Sequence, residues 1–571
     1  MIKAEEEERM KNTMDFTTEL ERRLIVFDGA MGTMVQRYGL PSGQLPETLN
    51  ILHPEVIEDI HRQYIEAGAD VITTNTFGAN ELKLKGTGYT VEQVITRAVA
   101  LARRAAGSRW VALDMGPIGQ LMEPMGPLSF EQAYELYARQ VKAGVQAGVD
   151  LILIETLGDL YEAKAAVLAA KENSSLPVIC TLTFDQSGRT LTGADPLTAV
   201  VVLEGLGVDA LGVNCSLGPE GLLPIVKEFL SYSSIPVLVQ PNAGLPQMVD
   251  GRAVYPLTPD VFQQHLLTMV QMGVRLVGGC CGTTPDFIRA IRQAVDGLTP
   301  AAVPAKKFTA VASGSRTVIL GQGVKLIGGR INGGSNESIA RAIQSNNMGD
   351  IVSEAIAQRS QGADMLAIDV AIPEIDEKKA MLNLVREIQA VVNLPLELDS
   401  LRADVLEAAM RLYNGKPLVR GVSAEQAVMD SVFPAVAKYG PCVVGYTRDE
   451  KGTPVDAKDR LKMAERIVSA AESYGVPKEN VIIDCTMADA AARPSEAMEA
   501  LKAIRLIKDE LGLVTTLDIR QVCRGWPNDD SVVSTYLAMA LAYGLDAPVV
   551  DPGDARTVET VKAFRLLSGQ R

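Results

Sequence analysis

The chain has 571 residues, 47% hydrophobic and 22% charged, a globular balance that excludes wholesale disorder. Its 70 acidic against 55 basic side chains, a net charge of −15, argue against a phosphate-backbone binder, and 5% aromatic residues argue against stacking platforms for single-stranded nucleic acid. Seven cysteines are too few for a disulfide scaffold at this length, which points to a reducing cytoplasm and to cysteine spacing as a sign of metal or catalytic chemistry.

The N-terminal stretch Met1–Glu21 is polar and acidic, unlike a signal or transit peptide. No run of about 18 apolar residues suggests a membrane span. Strand-like runs then begin near Leu24, Val71, Trp110, Leu151, Pro177, Ala210, Pro236 and Leu276. Helical patterns lie between them, as at Pro54–Gly68, Phe130–Gly148 and Leu222–Tyr232. Runs that are apolar on both faces suit parallel strands covered on both sides. Eight strand–helix units predict a (β/α)8 barrel. The competing open doubly wound sheet lacks a GxGxxG motif after the first strand.

Residues 298–317 mix Pro, Ala, Ser and Lys without apolar periodicity and read as a linker. The alternation restarts at Lys325, Met365, Pro395, Pro417, Cys442, Val481, Thr515 and Ala547, with helical patterns such as Ala457–Tyr474 and Pro494–Leu511 between. The expectation is two tandem (β/α)8 TIM-type barrels, over residues 1–297 and 318–571.

In such barrels the working residues sit at the C-terminal ends of strands. Cys215 closes the sixth run (GVNCSLGP), and Cys280 and Cys281 close the eighth (GGCCGTTP). Three thiolates with a fourth position open describe a catalytic zinc site. Successive strand residues point opposite ways, so both Cys280 and Cys281 reach one ion only if the chain bends at Gly282. Buried apolar cysteines are the alternative. Asn242, in QPNAG after the seventh run, either fills the open position through its amide oxygen or caps a turn. A site with three thiolates is a poor activator of water but can hold a substrate thiol as thiolate, the nucleophilic form. That favours alkylation of a small thiol over hydrolysis. His53, His61 and His265 lie in or before predicted helices, which argues against a Ser-His-Asp triad.

FDGAMGTMVQ (27–36), NTFGAN (75–80), GVNCSLGP (212–219), PNAG (241–244) and GGCCGTTPDFIRAI (278–291) together resemble the zinc-dependent homocysteine S-methyltransferases, with the greatest likeness to the N-terminal half of the cobalamin-dependent methionine synthases. The resemblance implies zinc on Cys215, Cys280 and Cys281, with Asn242 as a displaceable ligand. It also implies that Asp28, Gly29, Ala30 and Glu155 hold the amino-acid end of homocysteine; Glu155 pairing a loop amide is the plainer alternative.

The second half, through IGGRIN, AIDV, LELDS, VIIDC and DPGD, resembles the pterin-binding barrel of the same enzymes. The resemblance implies that Asn332, Asp369, Asp399 and Asp484 meet the donor-rich edge of a pterin. Several positions depart from the family. Gly329 stands where the family has Glu, Ala371 and Arg420 stand where it has Asn, and Asp518, Ile519, Arg520 and Gln521 replace Gly-Leu-Ser-Asn. Gln521 is the candidate for the role of that last asparagine at the folate N5. Cys442 reads as core, and no third ligand accompanies Cys485 and Cys523 at metal-binding spacing.

The expected function is methyl transfer from methyltetrahydrofolate or a related donor, through methylcobalamin carried by another domain or protein, to homocysteine, giving methionine. No Asp-x-His-x-x-Gly run for a corrinoid occurs before Arg571. In the alternatives the second barrel docks a methyl-corrinoid protein, binds a non-folate donor, or serves as a binding module only.

Overall fold

The computed structural model describes residues 16–38, 45–249, 252–487, 494–523, 525–526 and 529–570. The polar stretch 1–15 lies outside the described residues. The chain divides into two compact units between Lys306 and Lys307.

In the first unit the strands are β1 (Ile25–Val26), β2 (Val71–Thr73), β3 (Trp110–Met115), β4 (Leu151–Leu157), β5 (Val178–Leu182), β6 (Ala210–Asn214), β7 (Val237–Gln240), the hairpin β8 (Gln247–Val249) and β9 (Arg252–Val254), and β10 (Leu276–Val277). Eight of them form a parallel sheet in the order β1-β10-β7-β6-β5-β4-β3-β2. The ring closes where Phe27 bridges Val71, with Asp70 N–H donating to the Val26 carbonyl at 2.7 Å and Asp28 N–H to the Val71 carbonyl at 3.1 Å. The hairpin β8–β9, between β7 and its helix, has no counterpart in the sequence-based expectation.

Alternate strand residues fill the barrel, as the two-residue repeat requires: Ile25, Phe27, Val71, Trp110, Ala112, Leu151, Leu153, Ile179, Ala210, Leu238 and Leu276 form one buried cluster. The helix Phe16–Arg22 packs against it, with Phe16 edge-on to Trp110 at 5.3 Å between ring centroids. The covering helices begin where the sequence offers caps. Thr90 with Gln93 and Ser129 with Gln132 make capping boxes for the helices Val91–Ala106 and Phe130–Ala147.

The second unit opens with β11 (Thr309–Ser313) and β12 (Thr317–Leu320). Part of the segment read as a linker is therefore a strand. Its short Thr-Ala-Val-Ala-Ser run is buried and pairs antiparallel with β12, because a few small apolar residues suffice for a strand that a neighbour covers. The remaining strands are β13 (Ile327–Asn332), β14 (Met365–Asp369), β15 (Leu396–Asp399), β16 (Gly415–Lys416), β17 (Leu418–Ser423), β18 (Cys442–Tyr446), β19 (Val481–Asp484), β20 (Val514–Asp518) and β21 (Ala547–Val550). All but β16, which joins β11 and β12, close into an eight-stranded parallel barrel. Both halves are thus TIM-type barrels, and each expected strand falls within a residue or two of its place.

Candidate active site

Cys215 follows β6, and Cys280 and Cys281 lie in the loop after β10. Their sulfurs all fall within 4.8 Å of one another, and Cys215 Sγ is 3.9 Å from Cys281 Sγ. The strand alternation does not constrain the adjacent pair, because β10 ends at Val277. The loop is pinned instead. Cys280 N–H donates to the Pro241 carbonyl at 2.9 Å, the Cys281 carbonyl accepts from Ala243 N–H at 2.9 Å, and Thr283 Oγ1 donates to the Cys280 carbonyl at 2.7 Å. Gly282 makes the bend, at φ +85°, where a Cβ would lie 2.3 Å from the Tyr255 ring. Cys215 (φ 62°) and Ser216 (φ 54°) also hold left-handed backbone without being glycine, a strain that is retained only where the surroundings fix it. One of those constraints is Cys215 N–H donating to the Gln240 carbonyl at 3.1 Å.

Three thiols and a buried amide oxygen are a donor set that fits zinc. The Asn242 side chain is buried, and its Oδ1 has no hydrogen-bond partner among the described residues. Hydrogen bonds from Cys215 and Cys280, with a further one from the Tyr255 hydroxyl, bring the Cys281 thiol down to about 3. The Cys280 thiol is pushed well above the ordinary range, first by its hydrogen bond with Cys215.

Around the thiols the barrel lining turns polar. Continuing the inward alternation from Trp110 and Ala112 reaches Asp114, from Leu151 and Leu153 reaches Glu155, and from Leu238 reaches Gln240. Asn214 ties three strands: its Oδ1 accepts from Thr156 N–H at 2.9 Å and Thr181 Oγ1 at 2.8 Å, and its Nδ2 donates to Glu155 Oε2 at 3.3 Å and Thr156 Oγ1 at 2.6 Å. Burial pushes the half-buried Glu155 carboxyl up to about 8, and the nearby Cys215 acts in the same direction. Asp28 is fully buried and engaged by its own barrel. Its Oδ2 accepts from Thr73 N–H at 2.8 Å, and Thr73 Oγ1 lies 3.2 and 3.3 Å from its two oxygens. Burial raises its carboxyl to about 8, Thr73 opposing. Gly29 sits where a Cβ would come within 2.7 Å of Thr283 Oγ1, and Ala30 N–H donates to that same oxygen at 3.2 Å. The loop of Gly29 and Ala30 is therefore pressed against the loop carrying Cys280 and Cys281.

In the second barrel, Asp369 and Asp399 are direct neighbours in register, as are Asp399 and Arg420. Asn332 Nδ2 donates to Asp369 Oδ2 at 2.9 Å. Burial pushes the Asp399 carboxyl well above the usual range, Arg420 opposing. Asp484 is already occupied: Arg420 Nη1 donates to its Oδ2, while Arg420 Nε and Nη2 donate to Glu397 at 2.7 and 3.2 Å. The guanidinium lies 5.7 Å from the Tyr446 ring centroid, and all three charged side chains are buried. Arg520 reaches the Gly329 carbonyl at 2.6 Å, and a Cβ on Gly329 would stand 2.7 Å from its Nη2, so the two departures from the family sequence depend on each other. Gln521 is exposed in the short helix Ile519–Cys523, its N–H bonded to Asp518 Oδ1 at 3.1 Å.

The sequence reading missed Asp114, Asn214, Gln240, Tyr255 and Glu397. For Asp114, Gln240 and Glu397 the signal was there: each is a polar residue breaking an apolar strand, Asp114 and Gln240 near its C-terminal end and Glu397 inside it. Tyr255 offered none, because it comes from the loop after the unexpected hairpin.

Residues 25–295 match the family model for homocysteine S-methyltransferase, and residues 328–533 match that for pterin binding enzymes. The chain is 31% identical over 582 residues to methionine synthase of Mycobacterium leprae and 31% identical over 572 residues to that of Mycobacterium tuberculosis. In each case 94% of this chain is covered but 48% of the relative, so the chain spans about half the length of the curated relatives it matches. Among solved structures, the metallated homocysteine methyltransferase MmuM from Escherichia coli aligns with 49% of this chain and 98% of its own, at 24% identity and a TM-score of 0.43. Among the described residues no helix is long and apolar enough to cross a membrane. The chain thus carries a homocysteine S-methyltransferase domain followed by a pterin-binding domain, and it is a distant homologue of the N-terminal half of methionine synthase.

Proposed function

We propose that the first barrel methylates the thiol of homocysteine to give methionine, with zinc on Cys215, Cys280 and Cys281 and with Asn242 as the ligand the substrate displaces. The observation that carries this reading is the convergence of three sulfurs within 4.8 Å, with Pro241 and Ala243, on either side of the buried Asn242, bonded to the backbone of Cys280 and Cys281. When bound, zinc would supply the Lewis acidity that keeps a substrate thiol ionised at neutral pH. The protein's own part is positioning. Glu155 is the acceptor for the substrate ammonium, and the Gly29 N–H suits its carboxylate; Ala30, whose N–H goes to Thr283 Oγ1, shapes the loop around that end of the substrate. Asp28 acts through the backbone it holds, since Thr73 already takes its oxygens. The methyl group would arrive on a corrinoid carried by another domain or protein. Seven cysteines in 571 residues, three of them gathered at one site, support a reducing, cytoplasmic setting.

For the donor, the match to pterin binding enzymes supports a folate-type methyl source held by Asn332, Asp369, Asp399 and Asp484, with Gln521 near the transferred methyl. One observation favours the second reading, a non-folate donor or a docking role. Arg420 presents a guanidinium to Asp484 and Glu397, the same chemistry a pterin edge would bring, and so competes for the acceptor. The deciding experiment loads the chain with zinc and compares methylation of homocysteine from free methylcobalamin and from methyltetrahydrofolate plus cobalamin. Transfer from methylcobalamin is expected; its absence in the zinc-loaded chain overturns the proposal.

A further inference from the structure

We propose that Asp114 is a substrate-binding residue which, together with Glu155, clamps the α-ammonium of an amino-acid thiol and so selects it over thiols lacking the amine. This rests on the homocysteine reading of the first barrel and adds a residue to it. Asp114 continues the inward face of β3 beyond Trp110 and Ala112, and Glu155 continues that of β4 beyond Leu151 and Leu153. With Asp114 opposite Leu153, Glu155 stands two residues farther along β4, one inward position nearer the C-terminal mouth.

What distinguishes Asp114 is that, among the described residues, none donates a hydrogen bond to its Oδ1. The residue is 7% exposed, and that oxygen is buried. Buried polar atoms are rarely left so, and an orphan acceptor in a barrel mouth calls for a donor from a ligand. Asp28, by contrast, is satisfied by Thr73. The nearby cation, Lys83, opposes the repulsion from neighbouring carboxylates by its charge but makes no hydrogen bond to Asp114: its ammonium donates to the Pro117 carbonyl at 2.7 Å and lies 5.4 Å from the Phe77 ring centroid. The missing donor must be cationic or neutral, because Glu155, Asp28 and Glu47 all act on Asp114 as like charges, second only to burial in pushing its carboxyl well above the usual range. An ammonium has three donors and the charge to relieve that repulsion. A ligand carboxylate in the same place would worsen it.

The test uses the whole zinc-loaded chain and two thiols, homocysteine and 4-mercaptobutyrate, which differ only in the amine. Calorimetry gives the affinity of each for the unaltered chain and for Asp114→Asn. The substitution should weaken homocysteine by about tenfold or more and leave 4-mercaptobutyrate within about twofold. In turnover with methylcobalamin, KM for homocysteine should rise while kcat at saturation holds. Equal weakening of both thiols, or of neither, overturns the role of Asp114. Failure of the unaltered chain to bind homocysteine at all overturns the homocysteine reading and this inference with it. Asn is the isosteric choice and breaks no existing bond of the carboxyl; Asp114→Ser serves the same comparison if the Asn variant does not fold.

Discussion

Arg420 and Glu397 lie on neighbouring strands of the second barrel and meet fork to fork, Nε to Oε1 at 2.7 Å and Nη2 to Oε2 at 3.2 Å, with both side chains buried. The same guanidinium reaches Asp484, so one cation balances two buried carboxylates. Removing it leaves both carboxylates without a counter-charge. Arg420→Met should therefore destabilise the second barrel by about 3–5 kcal/mol, far more than loss of a surface ion pair. Urea unfolding of the variant checks this, and a loss of under about 1 kcal/mol would show that the triad contributes little.

The same pairing bears on folate. With Asp484 engaged and Ala371, Arg420 and Gln521 in place of asparagines, two or three hydrogen bonds to a pterin are lost or altered. Each is worth about 1 kcal/mol, and a group left buried without a partner costs about 1–3 kcal/mol. Methyltetrahydrofolate should bind roughly two orders of magnitude more weakly than to a barrel with its acceptors free. Equilibrium dialysis measures this, and saturation at low micromolar folate would refute it.

Zinc should follow the thiols. Cys215→Ala, Cys280→Ala and Cys281→Ala should each abolish stoichiometric zinc, about one ion per chain in the unaltered protein, with little change in circular dichroism. The ligands stand on loops above a packed barrel, so the fold does not hang on them. Elemental analysis decides, and full zinc in the Cys280→Ala chain would exclude that residue as a ligand.

Homocysteine binding to the zinc-loaded chain should release at least one proton near neutral pH, because a thiol binds zinc as its thiolate and an ammonium at Glu155, whose carboxyl is raised to about 8, favours loss of its proton too. Titration calorimetry in buffers of different ionisation enthalpy counts the protons. A heat independent of the buffer would contradict thiolate formation.

His61 sets an acid limit on stability. It is fully buried in the helix Pro54–Glu66, both ring nitrogens lack partners, and burial holds the imidazole down at about 4. A lowered folded-state value means that the neutral ring favours the fold fully above about pH 6.5, the value for the unfolded chain. That contribution is lost as pH falls toward 4, by roughly 3 kcal/mol. The carboxyls of Asp28 and Glu155, raised to about 8, act in the opposite sense: their contribution declines as pH rises toward 8. The clean comparison is therefore with His61→Leu. Its melting temperature should fall less than that of the unaltered chain between pH 6.5 and 4, and parallel curves would mean that His61 is not the group responsible.

The sequence by itself determined the two barrels and the zinc candidates. Strands apolar on both faces repeat at barrel spacing, and that hydrophobic pattern is a local property that survives in one dimension. Cys215, Cys280 and Cys281 were legible because each stands in a glycine-containing loop after a strand, where barrels place their chemistry. The tertiary structure decided which polar groups remain available. Asp28 and Asp484 look alike in sequence to Asp114 and Asp399, yet Thr73 takes the oxygens of Asp28 and Arg420 takes Asp484, while Asp114 Oδ1 is left without a partner. Such partnerships join residues 45 and 64 positions apart, and they depend on strand register and inward alternation. The hairpin that brings Tyr255 to Cys281, and the space above Gly329 that admits Arg520, are likewise products of packing between distant segments.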